Sequence, residues 1–293
     1  MRATEVWKTK GKPTVSFEVY PAKTPKAGQS FEKALDNLVT LEPDFFSVTF
    51  GAGGSTREGS WELVRKLRQE KNAEVLAYVA CFGLGPQDLD AVIARYRELG
   101  VETILTVRGD EPRDQNDFSP HPDSFPHATD FLKFVKSRSD LCVGAACYPE
   151  GHIEAESKEK DMEYLKLKVD LGAEFVITNY FYDNHFFFDF MDRCNANGIH
   201  VPIVPGVMPI FSIKMMENLA RLCGATIPEE LRDGLSRLPE DDKDALVSFG
   251  IDHATEQCRE LLKSDVPGLH IYTMDRSKSS KEILRRLRSE NLL

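Results

Sequence analysis

Eight short apolar runs recur along the chain, each separated from the next by a stretch of helical or loop character. They are 15–20 (VSFEVY), 45–50 (FFSVTF), 74–81 (EVLAYVAC), 103–109 (TILTVRG), 142–148 (CVGAACY), 175–182 (FVITNYFY), 201–207 (VPIVPGV) and 269–274 (LHIYTM). Rich in β-branched and aromatic residues, they read as strands of a parallel sheet covered on both faces. Between them, Phe31, Ala34, Leu35, Leu38 and Leu41 recur every three or four residues. So do Leu89, Val92, Ile93, Tyr96 and Leu99 ahead of Gly100, and Met162, Leu165 and Val169 ahead of Gly172. These are helical faces with glycine stops. The alternation predicts an α/β fold, a (β/α)8 TIM barrel. An open doubly wound sheet is the alternative, but eight evenly spaced strands fit closure better. Segment 224–263 exceeds one crossover and predicts two extra helices before the last strand, near 228–237 and 241–263. The aromatic run 181–190 reads as the core-facing start of a helix. With no low-complexity linker, residues 1–293 read as one domain.

Composition narrows the function classes. A net charge of −10 argues against a nucleic-acid binder and against docking on anionic membrane. No apolar run approaches the roughly 18–20 residues of a membrane span. The polar start, MRATEVWKTKGKP, lacks the apolar segment of a signal peptide, so a cytoplasmic location is expected. Cys81, Cys142, Cys147, Cys194, Cys223 and Cys258 form no CxxC pair. Buried free thiols are expected rather than a disulfide framework or a metal site.

The first strand carries an anomaly. In VSFEVYP, Glu18 interrupts an otherwise apolar run, and a buried carboxylate costs several kcal/mol, roughly, unless it is paired or protonated. Active sites of such barrels lie at the carboxyl ends of the strands. A half-shielded carboxyl there can keep its proton and act as a general acid. A Glu paired with Lys or Arg inside the barrel is an equally good reading of the pattern. Other strands also end in polar groups: Thr49 before GAGGST (51–56), where Ser55 or Thr56 can cap the next helix, and Arg108, Gly109 and Asp110 in RGD. Tyr148 and His152 follow in CYPEGH, Asn179 in TNYFYD, and Tyr272 and Arg276 in YTMDR. Arg108 and Asp110 read either as ligand contacts or as a structural pair. Six polar ends on one rim suggest a site for a planar, polar ligand.

These segments carry a family resemblance over nearly the whole chain. VSFEVYP (15–21), SVTFGAGGSTRE (47–58), VRGD (107–110), AACYPEGHIEA (145–155), KLKVDLGAEFVITNYFYD (166–183), VPIVPGVMPI (201–210) and HIYTMDR (270–276) stand in order. They resemble the methylenetetrahydrofolate reductases, in the short bacterial form with only the catalytic barrel. The resemblance implies a flavoprotein of one-carbon metabolism and methionine biosynthesis. Its FAD, reduced by NAD(P)H with NADH expected, passes a hydride to 5,10-methylenetetrahydrofolate and yields 5-methyltetrahydrofolate. It makes Glu18 the general acid and Asp110 the carboxylate that stabilises the cationic iminium. Flavin contacts carried over by position are Thr49, Tyr78, Arg108, Gly109, Asp110, His127, Ala128, Ala146, Tyr148, His152, Asp161 and Lys168. Glu18, Asp110, Asn179, Tyr272 and Arg276 fall where folate or nicotinamide is held.

This chain departs from the family pattern at several of these positions. Tyr78 stands for a common His, His127 for a Tyr, Asn179 for a Gln and Leu219 for a Phe. Tyr164 and Leu167 stand for an Asn and an Arg that help hold FAD, so FMN or an altered flavin site is the alternative. A homo-oligomer is expected from the resemblance. The competing functional readings are a pterin-binding methyltransferase-like barrel and a reductase subunit fed by a partner redox protein.

Overall fold

The computed structural model describes residues 1–22, 25–51, 54–111, 118–239 and 242–293. Ala52 and Gly53 of the glycine-rich turn, with the side chains of Ser55 and Thr56, lie outside the described residues. All eight predicted strands form: β1 Thr14–Val19, β2 Phe45–Val48, β3 Val75–Ala80, β4 Thr103–Val107, β5 Cys142–Cys147, β6 Phe175–Tyr180, β7 Ile203–Val207 and β8 Gly268–Tyr272. Each pairs in parallel with its neighbours, and β8 pairs with β1, so the sheet closes. The sequence overran several strand ends. β7, for instance, starts at Ile203 rather than Val201.

Residues on alternate faces of these strands build two different cores. The outward set, including Phe17, Val19, Phe46, Val79, Ile104, Val143 and Val176, packs under the surrounding helices. The inward set at the amino end is Phe45, Leu76, Leu105, Cys142, Phe175, Ile177 and Val204. Phe175 fills the middle of that plug because β5 offers Gly144 beside it: a Cβ there would lie 2.2 Å from the ring. Higher in the barrel the interior turns polar, with Ser16, Ser47 and His270 all buried. His270 Nδ1 bonds Ser16 Oγ at 2.8 Å, and its Nε2 lies 3.3 Å from Ser47 Oγ.

The amino end is closed by α1, Ala3–Thr9, which the polar N-terminal sequence did not announce. Trp7 meets the Phe45 and Phe175 rings edge-on, 6.3 and 5.1 Å between centroids. Its indole N–H donates to Thr14 Oγ1 at 2.8 Å. A seven-residue helix is too short to be stable alone; tertiary contact makes it form.

The outer helices are α2 Pro25–Val39, α3 Gly54–Arg65, α4 Pro86–Glu98, α5 Ala128–Arg138, α6 Lys158–Asp170, α7 Asn184–Ala196, α8 Ile213–Cys223, α9 Glu229–Ser236, α10 Lys243–Lys263 and α11 Ser277–Ser289. The two helices expected before the last strand are α9 and α10. Their roles differ from the expectation: α10 packs on β7, β8, α7 and α11 and is a member of the barrel's own ring. The extra elements are α8 and α9. In α7, Phe187 and Phe190 face the core as expected. All six cysteines are free thiols. Among the described residues no helix is long and apolar enough to cross a membrane.

Candidate active site

Glu18 points into the barrel at the carboxyl end of β1, in register with Ser47 and Tyr272 on the neighbouring strands. It is 3% exposed. Among the described residues no Lys or Arg forms an ion pair with it; His270 Nε2 lies 4.0 Å from Oε2. The Tyr20 hydroxyl donates to Oε1. A bond to a charged group contributes about 1.5–3 kcal/mol, which offsets part of the burial cost. Burial first, and the Glu18 charge second, push the Tyr20, Tyr78 and Tyr272 phenols well above their ordinary pKa. All three therefore stay protonated, as donors.

A cavity of about 370 Å³ opens above this cluster. Glu18, Tyr20, Tyr78, Tyr272 and Asn179 make its polar wall, and Leu105, Val107, Ile177, Met208, Leu219 and Met274 are among the apolar residues opposite. Tyr272 is held upright, its hydroxyl donating to the Thr178 carbonyl at 2.8 Å. It has room because β7 carries Gly206: a Cβ there would sit 2.5 Å from its ring. Ala146 and Tyr148 complete the cavity on the β5 side.

Beside the cavity is an open cleft of about 510 Å³, lined by Arg108, Gly109 and Asp110 with Phe82, Pro126 and Glu154. Val107 faces the cavity while the next residues of the chain face the cleft, so the two are neighbours. The expected alternative of an Arg108–Asp110 pair is not what forms: Arg108 Nη1 bonds Glu154 at 2.6 Å, and Asp110 is exposed. The β5–α6 side adds a connected group. His152 stands edge-on to Tyr148, ring centroids 4.6 Å apart, and its backbone N–H donates to Asp161 Oδ2 at 3.1 Å. Lys168 Nζ donates to the Ala146 carbonyl at 3.0 Å. Burial lowers the Lys168 pKa, and Asp161 opposes that shift.

The structure thus brings Glu18, Tyr78, Ala146, Tyr148, Asn179 and Tyr272 to one cavity, and Arg108, Gly109 and Asp110 to the adjoining cleft. Thr49, His127, Ala128, His152, Asp161, Lys168 and Arg276 line neither. Thr49 closes β2, its backbone N–H on the Val19 carbonyl; His127 caps the start of α5; Arg276 stacks over Phe211 at 5.1 Å. Tyr164 and Leu167 are solvent-exposed on α6. Two residues at the site were missed from the sequence. Tyr20 shares the inward face with Glu18 by strand alternation, a signal that VSFEVY does carry. Asp275 accepts from the Tyr20 backbone N–H at 3.0 Å.

Burial raises the Asp275 pKa to about 6; the Tyr20 N–H lowers it and the Glu18 charge raises it. An acid whose folded pKa lies above its unfolded value binds its proton more tightly when folded. Its contribution to stability is complete below the unfolded pKa and is lost as pH rises towards 6. Chemical unfolding at a series of pH values is expected to show this loss in the native chain and a flatter profile in Asp275→Asn. Parallel profiles for the two would contradict the assignment.

A family model described as methylenetetrahydrofolate reductase matches residues 3–288. The chain belongs to the methylenetetrahydrofolate reductase family. The 5,10-methylenetetrahydrofolate reductase of Escherichia coli (strain K12) is 31% identical over 276 residues, which cover 93% of this chain and 90% of that protein. Methylenetetrahydrofolate reductase (NADH) 1 of Arabidopsis thaliana is 34% identical over 288 residues, 94% of this chain but 48% of that one. The chain spans about half the length of the plant and fungal relatives it matches and nearly all of the bacterial ones. Among solved structures, a Clostridium thermocellum protein described as binding two copies of 5-methyl-5,6,7,8-tetrahydrofolic acid superposes with a TM-score of 0.63 at 18% identity, covering 98% of both chains. At that identity the likeness concerns the fold.

Proposed function

We propose that this chain reduces 5,10-methylenetetrahydrofolate to 5-methyltetrahydrofolate, with FAD as hydride carrier, NADH as reductant and Glu18 as general acid. The observation that carries the reading is a buried carboxyl, without a Lys or Arg partner among the described residues, on the wall of a mostly apolar cavity at the barrel mouth. Membership of the family supports the reaction class.

The residues present fit a flavin. The cleft beside the cavity is roomy and has Arg108 on its wall, while Lys168 and His152 contact Ala146 and Tyr148, which line the cavity. Arg108, Gly109, Ala146, Tyr148, His152, Asp161 and Lys168 would hold the group. When bound, it supplies hydride transfer between nicotinamide and folate. The chain's own residues do the rest. Glu18 gives its proton to the ring nitrogen of the bound folate, opening the five-membered ring to an iminium at the one-carbon unit. A positioned acid of this kind contributes about 10²–10⁴-fold. Tyr20 fixes the carboxyl's orientation through its hydroxyl, and Tyr78 shares the cavity wall with it. Asp110 places a negative charge at the rim, where it stabilises the cationic iminium. Asn179 and Tyr272 offer an amide and a phenol to the pterin edge, and the apolar wall excludes water.

An absorption spectrum of the purified protein tests the reading: a flavin spectrum bleached by NADH is expected, while a colourless protein that moves a methyl group without redox change would overturn it. Lys168→Met is expected to weaken flavin binding about tenfold, the equivalent of one lost charged hydrogen bond. Fluorescence titration of the apoprotein checks this, and undiminished affinity would remove Lys168 from the site.

A further inference from the structure

A second cavity, of about 320 Å³, lies on the outside of the barrel where the end of β6 meets α7, α9 and α10. It is remote in sequence from the proposed proton donor and shares no lining residue with the barrel-mouth cavity. Tyr182, Asn184, Glu230, His253, Glu256 and Glu260 are among its walls, and among the described residues no Lys or Arg lines it.

Three buried polar atoms on these walls have no hydrogen-bond partner: Asn184 Oδ1, His253 Nε2 and the Tyr182 hydroxyl. Tyr182 and Asn184 are 3% and 5% exposed. The Asn184 amide cannot be turned to relieve this. Its Nδ2 already donates to the Gln257 carbonyl at 3.0 Å and to Glu260 Oε2 at 2.6 Å, both pure acceptors, so Oδ1 must face away from them. Burial lowers the His253 pKa and keeps the ring neutral, so one of its nitrogens is an acceptor. Buried acceptors are ordinarily paired, and several unpaired ones on a single cavity point to a missing donor.

The charges agree with that reading. Asp183 is engaged at the start of α7, accepting from His185 N–H at 2.8 Å, and Glu256 pairs with Arg259. Glu260 holds Asn184 through one oxygen. Glu230 is exposed at the start of α9 and forms no ion pair among the described residues. The site therefore presents mainly acceptors and net negative charge, with the Tyr182 hydroxyl and one ring N–H of His253 as its donors. No group of three His, Cys, Asp or Glu among the described residues is arranged to hold a metal ion. We infer that this cavity binds a small organic cation bearing a primary ammonium group, whose N–H donors satisfy Asn184 Oδ1, His253 Nε2 and the carboxylates around them.

Calorimetric titration of the full chain with 1,4-diaminobutane, at constant ionic strength and neutral pH, tests the inference. Saturable binding is expected. Tetramethylammonium, a cation without N–H donors, is expected not to bind. Glu230→Gln, a surface change, and His253→Phe, which keeps a ring but removes the acceptor, are each expected to weaken the diamine about tenfold, one hydrogen bond or close charge. Absence of saturable binding, equal binding of tetramethylammonium, or unchanged affinity in both variants would overturn the proposal. So would displacement of the diamine by magnesium, which would make the site one for a metal.

Discussion

Replacing Glu18 by Gln is expected to lower the turnover of methylenetetrahydrofolate by about 10²–10⁴-fold, the contribution of a positioned general acid. The amide matches the carboxyl in size, so the packing around position 18 is kept. Its NH2 has no proton to give to the folate nitrogen. It would also face Tyr20, whose hydroxyl now donates to this group. Gln still offers one acceptor oxygen, so the loss should appear in turnover rather than in folding. Steady-state assay at saturating folate, beside an unfolding curve, separates the two. A variant that turns over within a few-fold of the native chain would remove Glu18 from the chemistry.

Phe175→Ala is expected to destabilise the chain by about 3–5 kcal/mol, the usual cost of emptying an aromatic site in a packed core. The ring is fully buried, stands 5.1 Å from Trp7 edge-on, and occupies space left open by Gly144. Phe175 plugs the barrel at the end away from the reaction. The remaining folded fraction should therefore keep its affinity for folate, while urea unfolding shifts to lower denaturant. A loss below about 1 kcal/mol would mean that the plug collapses around the gap.

How much of this could be read from the residues varies with the element. The strands were legible because closure into a parallel barrel covers both faces, which forces β-branched and aromatic residues into short runs. Glu18 was legible because it breaks such a run. Its surroundings were less so. Tyr20 follows from alternation, but Tyr78 and His270 reach Glu18 from strands β3 and β8, distances that only the register fixes. Arg108 next to Asp110 suggested a local pair, yet the guanidinium bonds Glu154, on a loop 46 residues further on. Helix α1 escaped because its sequence is polar; what orders it is Trp7 against a plug built by other strands. The role of α10 escaped for a similar reason: length and periodicity mark a helix, but only packing separates a ring member from an insertion.

The central claim concerns one proton and is tested most directly by separating the two halves of the reaction. The native chain and Glu18→Gln, each carrying flavin, are reduced anaerobically with NADH and then mixed with 5,10-methylenetetrahydrofolate while the flavin absorbance is followed. The account predicts near-equal reduction by NADH in both, fast reoxidation by folate in the native chain, and reoxidation slower by about 10²-fold or more in the variant. Reoxidation at the same rate in both, or an equal loss in both halves, would contradict it.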